Sequence, residues 1–418
     1  MGLFNWIKYR WLNDTWGYNL LLLLPIINGL ATVFTVYFEG SSLNPGTIRG
    51  LLVIFLFFYF LGGIILNVNI ASILTYIAII YFGILVFFSS NFLVSFNVYL
   101  KFFAALVHLL LGIYCGRRKG FLKKITYSFL IMISIFMLDF LLSNLFNYGG
   151  RSYAGVENVM NFGGIGVNLA KILSAFLLLF PVFLLHVNNK TGKIFLYFLL
   201  VLVLAFMLFA FKRSAILGFL MGVIILIIYY PNRGRVVKSF VVFVLAATIT
   251  APLYIGQVVD NFNARSEAID LREDENLEKQ ARYLEFTRVT ETWITEGWGF
   301  RLFGSELFND REFYHVRRML HTDYMSILNG AGLVGLILFV FLHLTIAYVF
   351  YQEYIRSQLS TAKLYFAVSA ALVVALLFYG FAGTVYSVEP RASVLFFLGA
   401  MMSEIKRVRL NCREGQIK

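Results

Sequence analysis

The stretch His321-Thr-Asp-Tyr-Met-Ser-Ile-Leu-Asn-Gly-Ala-Gly332-Leu-Val-Gly335 closes a long polar segment, residues 261–335, and runs straight into an apolar sequence. This segment holds most of the 22 acidic residues of the chain. Elsewhere the chain is strongly apolar: 60% of its 418 residues are hydrophobic and only 14% are charged, against about 25% in soluble proteins. The polar segment is therefore predicted to be a loop that membrane spans hold at one face of a bilayer.

The apolar runs are continuous and mostly as long as an α-helix that crosses a bilayer. A membrane β-barrel would show short alternating segments instead. The sequence predicts an all-α polytopic membrane protein with about 12 transmembrane helices and one large helical extracytoplasmic loop between helices 9 and 10. The predicted spans are Tyr18–Phe38, Leu51–Leu66, Ile70–Phe88, Val98–Tyr114, Ile125–Phe146, Ile165–Val187, Ile194–Phe211, Ala215–Tyr230, Ser239–Ile255, Tyr324–Tyr351, Leu364–Ser387 and Ala392–Ile405.

Four regions follow from these spans. Residues 1–255 hold helices 1–9, residues 256–323 form the extracytoplasmic loop, residues 324–405 hold helices 10–12, and residues 406–418 form a basic cytoplasmic tail. With the N-terminus inside, the cytoplasmic segments carry 19 Lys and Arg residues, and the short outer loops carry five: Arg49, Arg151, Lys212, Arg213 and Arg391. This asymmetry predicts a multi-pass protein whose two termini are cytoplasmic and whose long loop lies outside.

Two further features concern the first span and the cysteines. Lys8 and Arg10 precede a long apolar run without a small-residue cleavage site, so we expect a retained first span and not a signal peptide. Cys115 and Cys412 fall in predicted cytoplasmic segments, where no structural disulfide is expected.

Lys212 and Arg213 occupy a short outer turn, where positive charge is disfavoured. Two interpretations stay open at this point. The pair could bind an anionic partner, or the two side chains could reach the lipid headgroups on their own.

Residues 281–296 show a helical pattern that ends at Gly297, a residue type that commonly follows a helix. At 100° per residue, Arg282, Phe286, Val289 and Trp293 share one face, whereas Arg288 lies on the other. A basic residue on a buried face needs a partner or serves a ligand. Arg282 is thus either paired with a carboxylate of the loop or kept for an anionic substrate.

His321 lies at the start of the tenth predicted span and is a candidate proton carrier near neutral pH. The alternative is a capping or interfacial histidine. Gly332 and Gly335 follow at helical spacing and would let another helix approach closely. Lys101, Asp139 and Lys171 lie within spans and are expected to face the bundle interior or an interface as structural residues; Asp139 could pair with either lysine. Because no His or Cys residues have metal-ligand spacing, no metal site and no cofactor are expected.

Three motifs together resemble the O-antigen ligase/polymerase superfamily of bacterial inner-membrane glycosyltransferases (the Wzy and WaaL proteins). They are His321-Thr322 followed after nine residues by Gly332-X-X-Gly335, the arginine-led helix from Arg282 to Gly297-Trp298-Gly299, and the corner Lys212-Arg213-Ser214-Ala215. Arg151 through Gly155 and Asn168 resemble an upstream loop of the family more weakly. The resemblance covers about residues 150–340. It departs from the family at Lys212, where a serine is frequent, at Ser214, where a glycine is frequent, and at Thr322, where ligases usually carry Asn, Ser or Gln.

The resemblance implies a membrane glycosyltransferase that polymerises undecaprenyl-diphosphate-linked oligosaccharide repeat units at the outer face of the cytoplasmic (inner) membrane. His321 would be the base for the acceptor hydroxyl, and Arg213 and Arg282 would hold the diphosphate. Further substrate-binding residues would be Lys212, Arg151, Asn168, Arg265 and Tyr324. The implied partners are the lipid-linked oligosaccharide, the lipid bilayer, a chain-length regulator and a flippase. Nucleic acid is not expected despite the net charge of +13, because most basic residues lie in short loops between spans.

Two other functions remain as alternatives. A ligase of the same superfamily would pass the glycan to lipid A-core, and Thr322 disfavours it. A lipid-linked glycan transporter is less well supported, because transporters commonly show two repeated halves and no internal repeat is visible here.

Overall fold

The computed structural model describes residues 15–38, 45–66, 68–149, 152–153, 156–157, 161–164, 166, 169–210, 212–231, 234, 255–256, 259–260, 263, 281–309, 320, 322–357, 359–381 and 388–413. The side chains of residues 36, 152–153, 156–157, 281–284, 388–390 and 411–413 lie outside this description. The predicted ninth span, Ser239–Ile255, falls almost entirely outside it, and so does the charged stretch 265–279.

Helices make up the architecture. The first eight are α1 Thr15–Thr35, α2 Pro45–Ile65, α3 Ile70–Val86, α4 Phe92–Cys115, α5 Phe121–Leu145, α6 Ala170–His186, α7 Lys190–Ala210 and α8 Arg213–Tyr229. They are followed by α9 Ala281–Thr295, α10 Trp298–Phe303, α11 Asp323–Ser357, α12 Ser360–Gly380 and α13 Val388–Arg413. A 3-10 turn, Val36–Phe38, extends α1, and a small antiparallel hairpin joins Ser152–Tyr153 (β1) to Val156–Glu157 (β2).

The prediction of an all-α polytopic membrane protein is confirmed. Seven of the described helices are long and apolar enough to cross a membrane: α1, α2, α4, α5, α7, α11 and α12. The helices α3, α6 and α8 are apolar but shorter. The predicted twelfth span, Ala392–Ile405, lies inside α13, which continues through Arg413 beyond the predicted start of the tail at residue 406.

The centre of the bundle is the pair α4 and α13. A side chain at Gly112 would collide with the carbonyl of Phe396, and one at Gly399 would collide with the carbonyl of Leu109. These small residues let the two helix backbones touch, which is a common basis of helix association in membranes. Other helices pack on both sides of this pair: α2 and α3 pack against α4, α1 packs against α2 and α5, and α6, α11 and α12 pack against α13.

The two ends of the bundle differ. We name the loop face the end at which Ser89 meets Glu306, Asp323 meets Arg391, and α8 begins. At the opposite face, Glu353 meets Arg409, and α12 begins. Helix ends that the sequence assigns to one side of the membrane thus meet one another in the structure.

Candidate active site on the loop face

The start of α11 is tied to the start of α13 by a buried ion pair. Arg391 donates to the Asp323 carboxylate at 2.5 Å, and the two side chains are only 2% and 1% exposed. The guanidinium also lies 5.2 Å from the centroid of the Phe339 ring, within the range of a cation–π contact. The sequence placed Arg391 among the basic residues of short outer loops, but the structure buries it as a scaffold for the first turn of α11.

Tyr324 joins the same turn to α12. Its hydroxyl donates to the carbonyl of Leu377 at 2.5 Å, and its ring packs against Phe381 with centroids 4.7 Å apart. Because these contacts involve the last turn of α12, they set the position of the α11 start relative to that helix.

Lys212 and Arg213 lie at the start of α8, a helix that packs on the same end of α12. Lys212 precedes the helix and is 9% exposed, whereas Arg213 is its first residue and is exposed. Gly218 packs directly on the ring of Tyr379, whose hydroxyl bonds to Ser174 in α6. The final turn of α12 is therefore a shared neighbour of the helices that begin at Arg213 and at Asp323.

The helix α9 packs across the start of α11. Val289 is fully buried in a cluster with Leu320, Met325 and Leu328, and Trp293 borders this cluster. The predicted end of the helix before Gly297 is confirmed, since α9 stops at Thr295 and α10 begins at Trp298. The indole of Trp293 donates to the carbonyl of Arg301 at 2.9 Å and fixes the corner between the two helices.

The predicted buried face of α9 is wrong at one residue, Phe286. Phe286 is 54% exposed, because α9 meets the cluster on α11 through Val289 and Trp293, and Phe286 lies about one turn before Val289. Arg288 is exposed, as predicted. The helical period identified the face correctly but not how far along the helix the packing extends.

Helix α11 breaks at Gly332, where φ is +62°. Any Cβ at this position would collide with the backbone of Leu302, so the close neighbour is the end of α10. The break leaves carbonyls without helical partners, and two are satisfied from outside: Ser305 N donates to Asn329 O at 2.9 Å, and the Tyr81 hydroxyl donates to Ala331 O at 2.7 Å. Gly332 and Gly335 permit close approach as predicted, but Gly332 does so outside helical geometry.

Glu306 attaches the segment after α10 to the turn between α3 and α4. Its carboxylate accepts hydrogen bonds from Ser89 Oγ at 3.0 Å, Ser90 N at 3.0 Å, Ser90 Oγ at 2.9 Å and Asn309 Nδ2 at 2.8 Å. Burial alone would raise the pKa of this carboxyl, but the hydrogen bonds from Asn309, Ser90 and Ser89 outweigh it and hold the pKa below its ordinary value.

Glu306→Gln is expected to loosen this attachment. Replacing an ionised acceptor of several hydrogen bonds by an amide costs about 1 kcal/mol here, so amide exchange of residues 304–309 becomes about five-fold faster at pH 7. Since the folded pKa is depressed, the stabilisation is present above the unfolded pKa and is lost as pH falls through the folded pKa. The difference between variant and wild type therefore shrinks on acidification. The exposed Glu291→Gln is the matched control; equal exchange rates in all three proteins at pH 7 would refute the role.

Several site residues predicted from sequence fall outside the described residues: His321, Arg151, Asn168 and Arg265. Arg282 lies in α9, but its side chain is not described. The sequence neighbours of His321 are described. Leu320 is 6% exposed in the cluster with Val289, and the buried hydroxyl of Thr322 has no hydrogen-bond partner within the described part of the chain.

The ionisable residues inside spans are placed as follows. Asp139 and Lys171 are buried, at 7% and 4% exposure, and Lys101 is exposed on α4. Asp139 accepts hydrogen bonds from the backbone N of Gly164 at 3.0 Å and from the hydroxyl of Tyr148 at 3.1 Å.

In the described ranges, no three His, Cys, Asp or Glu side chains come together as a metal site would require.

Sequence reasoning missed two elements of the site, the Asp323–Arg391 pair and the Glu306 attachment. A signal existed for the first: Arg391 is a lone basic residue in a short outer loop, and Asp323 is the only acidic residue in the stretch 321–335. No such signal identified Glu306 among the many carboxylates of the loop.

Comparison with known proteins gives one family match. Residues 198–340 match the family model described as O-antigen ligase, a region that includes α8, α9, α10 and the first half of α11. The match confirms the resemblance to the O-antigen ligase/polymerase superfamily. Comparison of the chain with curated proteins gives no match.

Proposed function

We propose, from the O-antigen ligase match of residues 198–340, that the chain is a membrane glycosyltransferase that polymerises undecaprenyl-diphosphate-linked oligosaccharide repeat units. The observation that carries the proposal is the convergence of three helices. The second turn of α8, at Gly218, and the first turn of α11, at Tyr324, pack on the last turn of α12, and α9 packs across the start of α11. The elements that bear Arg213 and Arg282, and the residues on either side of His321, therefore meet at one face of the bundle.

The proposed reaction is a single displacement at the anomeric carbon of the donor sugar. The acceptor hydroxyl oxygen forms a bond to this carbon while the bond from the carbon to the diphosphate oxygen breaks. The hydroxyl proton passes to the imidazole of His321, and undecaprenyl diphosphate leaves with the electron pair. Undecaprenyl diphosphate leaves as a stabilised dianion or trianion. The protein therefore has two main tasks: to neutralise the negative charge of this leaving group and to accept the proton of the acceptor hydroxyl.

The charge of the leaving group is assigned to Arg213 and Arg282. Arg213 is exposed at the first position of α8, where the positive end of the helix dipole also favours an anion. Arg391 has the same chemistry but is 2% exposed and already bonds to Asp323, so it acts as a structural residue. Lys212, Tyr324, Arg151, Asn168 and Arg265 remain proposed substrate-binding residues.

The membrane arrangement belongs to the same proposal. The basic residues of the short loops favour cytoplasmic termini and an outer location for the loop face in the inner membrane. A donor delivered by a flippase would reach the loop face from the outer leaflet, with its polyprenyl chain between apolar helices. A chain-length regulator would act on the growing polymer. The proposed regions are 1–255, 256–323, 324–405 and 406–418.

Ligation to lipid A-core is the second candidate, and the wording of the matched family, O-antigen ligase, favours it. The two functions differ only in the acceptor. Incubation of the purified chain with a lipid-linked repeat unit separates them: a ladder of lengthened products supports the polymerase. A product that forms only after lipid A-core is added supports the ligase, and no glycan transfer with either acceptor contradicts both.

In the same assay, Arg282→Ala is expected to reduce product by about 10²–10³-fold, the effect of removing one donor to a developing anion. Arg282 lies seven residues before the buried Val289 and thus on the same helix face, two turns away. Arg282→Lys should also be poor, because an ammonium cannot replace a planar fork. Arg288→Ala removes the same charge from the exposed face and should retain most activity. Equal losses in Arg282→Ala and Arg288→Ala at equal protein level would contradict the assignment.

A further inference from the structure

The face opposite the loop face contains a basic cavity between α3, α4, α11 and α13. Its volume is about 320 Å³, at the lower end of the range for small-molecule pockets. Four basic side chains and one carboxylate line it: Arg117, Arg356, Lys406, Arg409 and Glu353. Four positive charges against one negative charge leave a net charge of +3 in this cavity, which we name the opposite-face pocket.

The single carboxylate of the pocket, Glu353, already forms ion pairs with two of the four basic side chains. Glu353 is 7% exposed, and its oxygens lie 3.1 Å from Arg409 Nη1 and 3.8 Å from Arg356 Nη1. Arg117 and Lys406 have no carboxylate within 4 Å in the described part of the chain. Within the same residues, the buried Nε of Arg409 and the buried Oε2 of Glu353 have no hydrogen-bond partner, so Glu353 contacts Arg409 as an ion pair without a hydrogen bond at that oxygen. The pocket therefore presents donors and positive charge that its own acidic residue does not neutralise.

The rest of the lining is mixed: it includes the polar side chains of Asn69, Gln352 and Ser403 and a group of apolar side chains. Val68, Ile70, Val349 and Met402 line the cavity beside the cations, and Val68 and Ile70 are each 50% exposed. Tyr348 lines the same cavity and is 49% exposed, and tyrosine is enriched where helices cross the membrane surface. A ligand that fits this lining carries an anionic group and an apolar body.

We propose that the opposite-face pocket binds the phosphate head group of an anionic phospholipid. Arg117 and Lys406 provide the charges for the phosphate, Arg409 Nε provides a further donor, and the apolar side chains contact the start of the acyl chains. Basic pockets between transmembrane helices are suited to such head groups. The site is separate from the candidate active site, because Leu333 and Glu353 lie 20 residues apart on the unbroken part of α11, about 30 Å along a helix.

The test is titration of the purified full-length chain with phosphatidylglycerol and with phosphatidylcholine, with bound lipid counted by native mass spectrometry. The wild type is expected to prefer phosphatidylglycerol. The double variant Arg117→Ala/Lys406→Ala should bind it about 25-fold more weakly, which corresponds to about 1 kcal/mol for each basic residue. The matched control, Lys190→Ala/Lys193→Ala, removes two exposed charges from the same face outside the pocket and should bind like the wild type.

A second variant tests whether a more positive pocket binds phosphatidylglycerol more tightly. Glu353→Gln removes the carboxylate that neutralises Arg409 and Arg356, so phosphatidylglycerol should bind about five-fold more tightly. A purely structural role of Glu353 would not tighten binding. The proposal is overturned if the wild type does not distinguish the two lipids, or if both double variants lose binding equally. It is also overturned if inorganic phosphate at millimolar concentration displaces the lipid, since the site would then be one for a free anion.

Discussion

His321→Ala slows single-turnover glycan transfer by about 10²–10⁴-fold and leaves donor binding unchanged, if the imidazole is the base for the acceptor hydroxyl. The physical reason is the position of the residue two places before the start of α11. The positive end of the helix dipole favours a neutral imidazole there, and a neutral imidazole can accept a proton. The carboxylate of Asp323, two residues after His321, is already engaged by Arg391.

Donor binding and single-turnover transfer on the same purified variants separate the roles. Arg213→Ala and Arg282→Ala should weaken donor binding as well as transfer, because these two arginines are proposed to hold the diphosphate. His315→Ala, which removes the other histidine of the 261–335 segment, is the matched control and should behave like the wild type. If His321→Ala transfers sugar at the wild-type rate, or fails only because the donor no longer binds, then His321 is a positioning residue.

Arg391→Ala should lower the free energy of unfolding by about 3–5 kcal/mol, the usual cost of leaving one partner of a buried ion pair without the other. The Asp323 carboxylate is 1% exposed, so water cannot replace the guanidinium without rearrangement of the first turn of α11. The measurement is the unfolding free energy of the purified variants in one detergent.

Two further variants test whether the loss of stability in Arg391→Ala comes from a buried charge left without its partner. Arg356→Ala breaks an ion pair whose arginine is 54% exposed, and it should cost less than about 1 kcal/mol. The double variant Asp323→Leu/Arg391→Met removes both charges and should recover most of the loss, because no buried charge is left alone. A loss in Arg391→Ala no larger than that in Arg356→Ala would show that the pair does not stabilise the start of α11.

The sequence by itself determined the properties that depend on local composition and period. Continuous apolar runs establish the membrane helices, because the thickness of the bilayer sets their length. The end of α9 follows from Gly297, and the exposure of Arg288 follows from helical period. The motifs around Arg213, Arg282 and His321 lie inside the region that matches the O-antigen ligase family.

Only the tertiary structure decided which distant residues meet. Asp323 and Arg391 are 68 positions apart, and Glu306 and Ser90 are 216 positions apart, so neither contact leaves a periodic trace in the sequence. The exposure of Phe286 and the break of α11 at Gly332 likewise depend on where α9 and α10 dock. A helical period specifies a direction around one helix axis, whereas burial depends on how far a neighbouring helix extends along that axis.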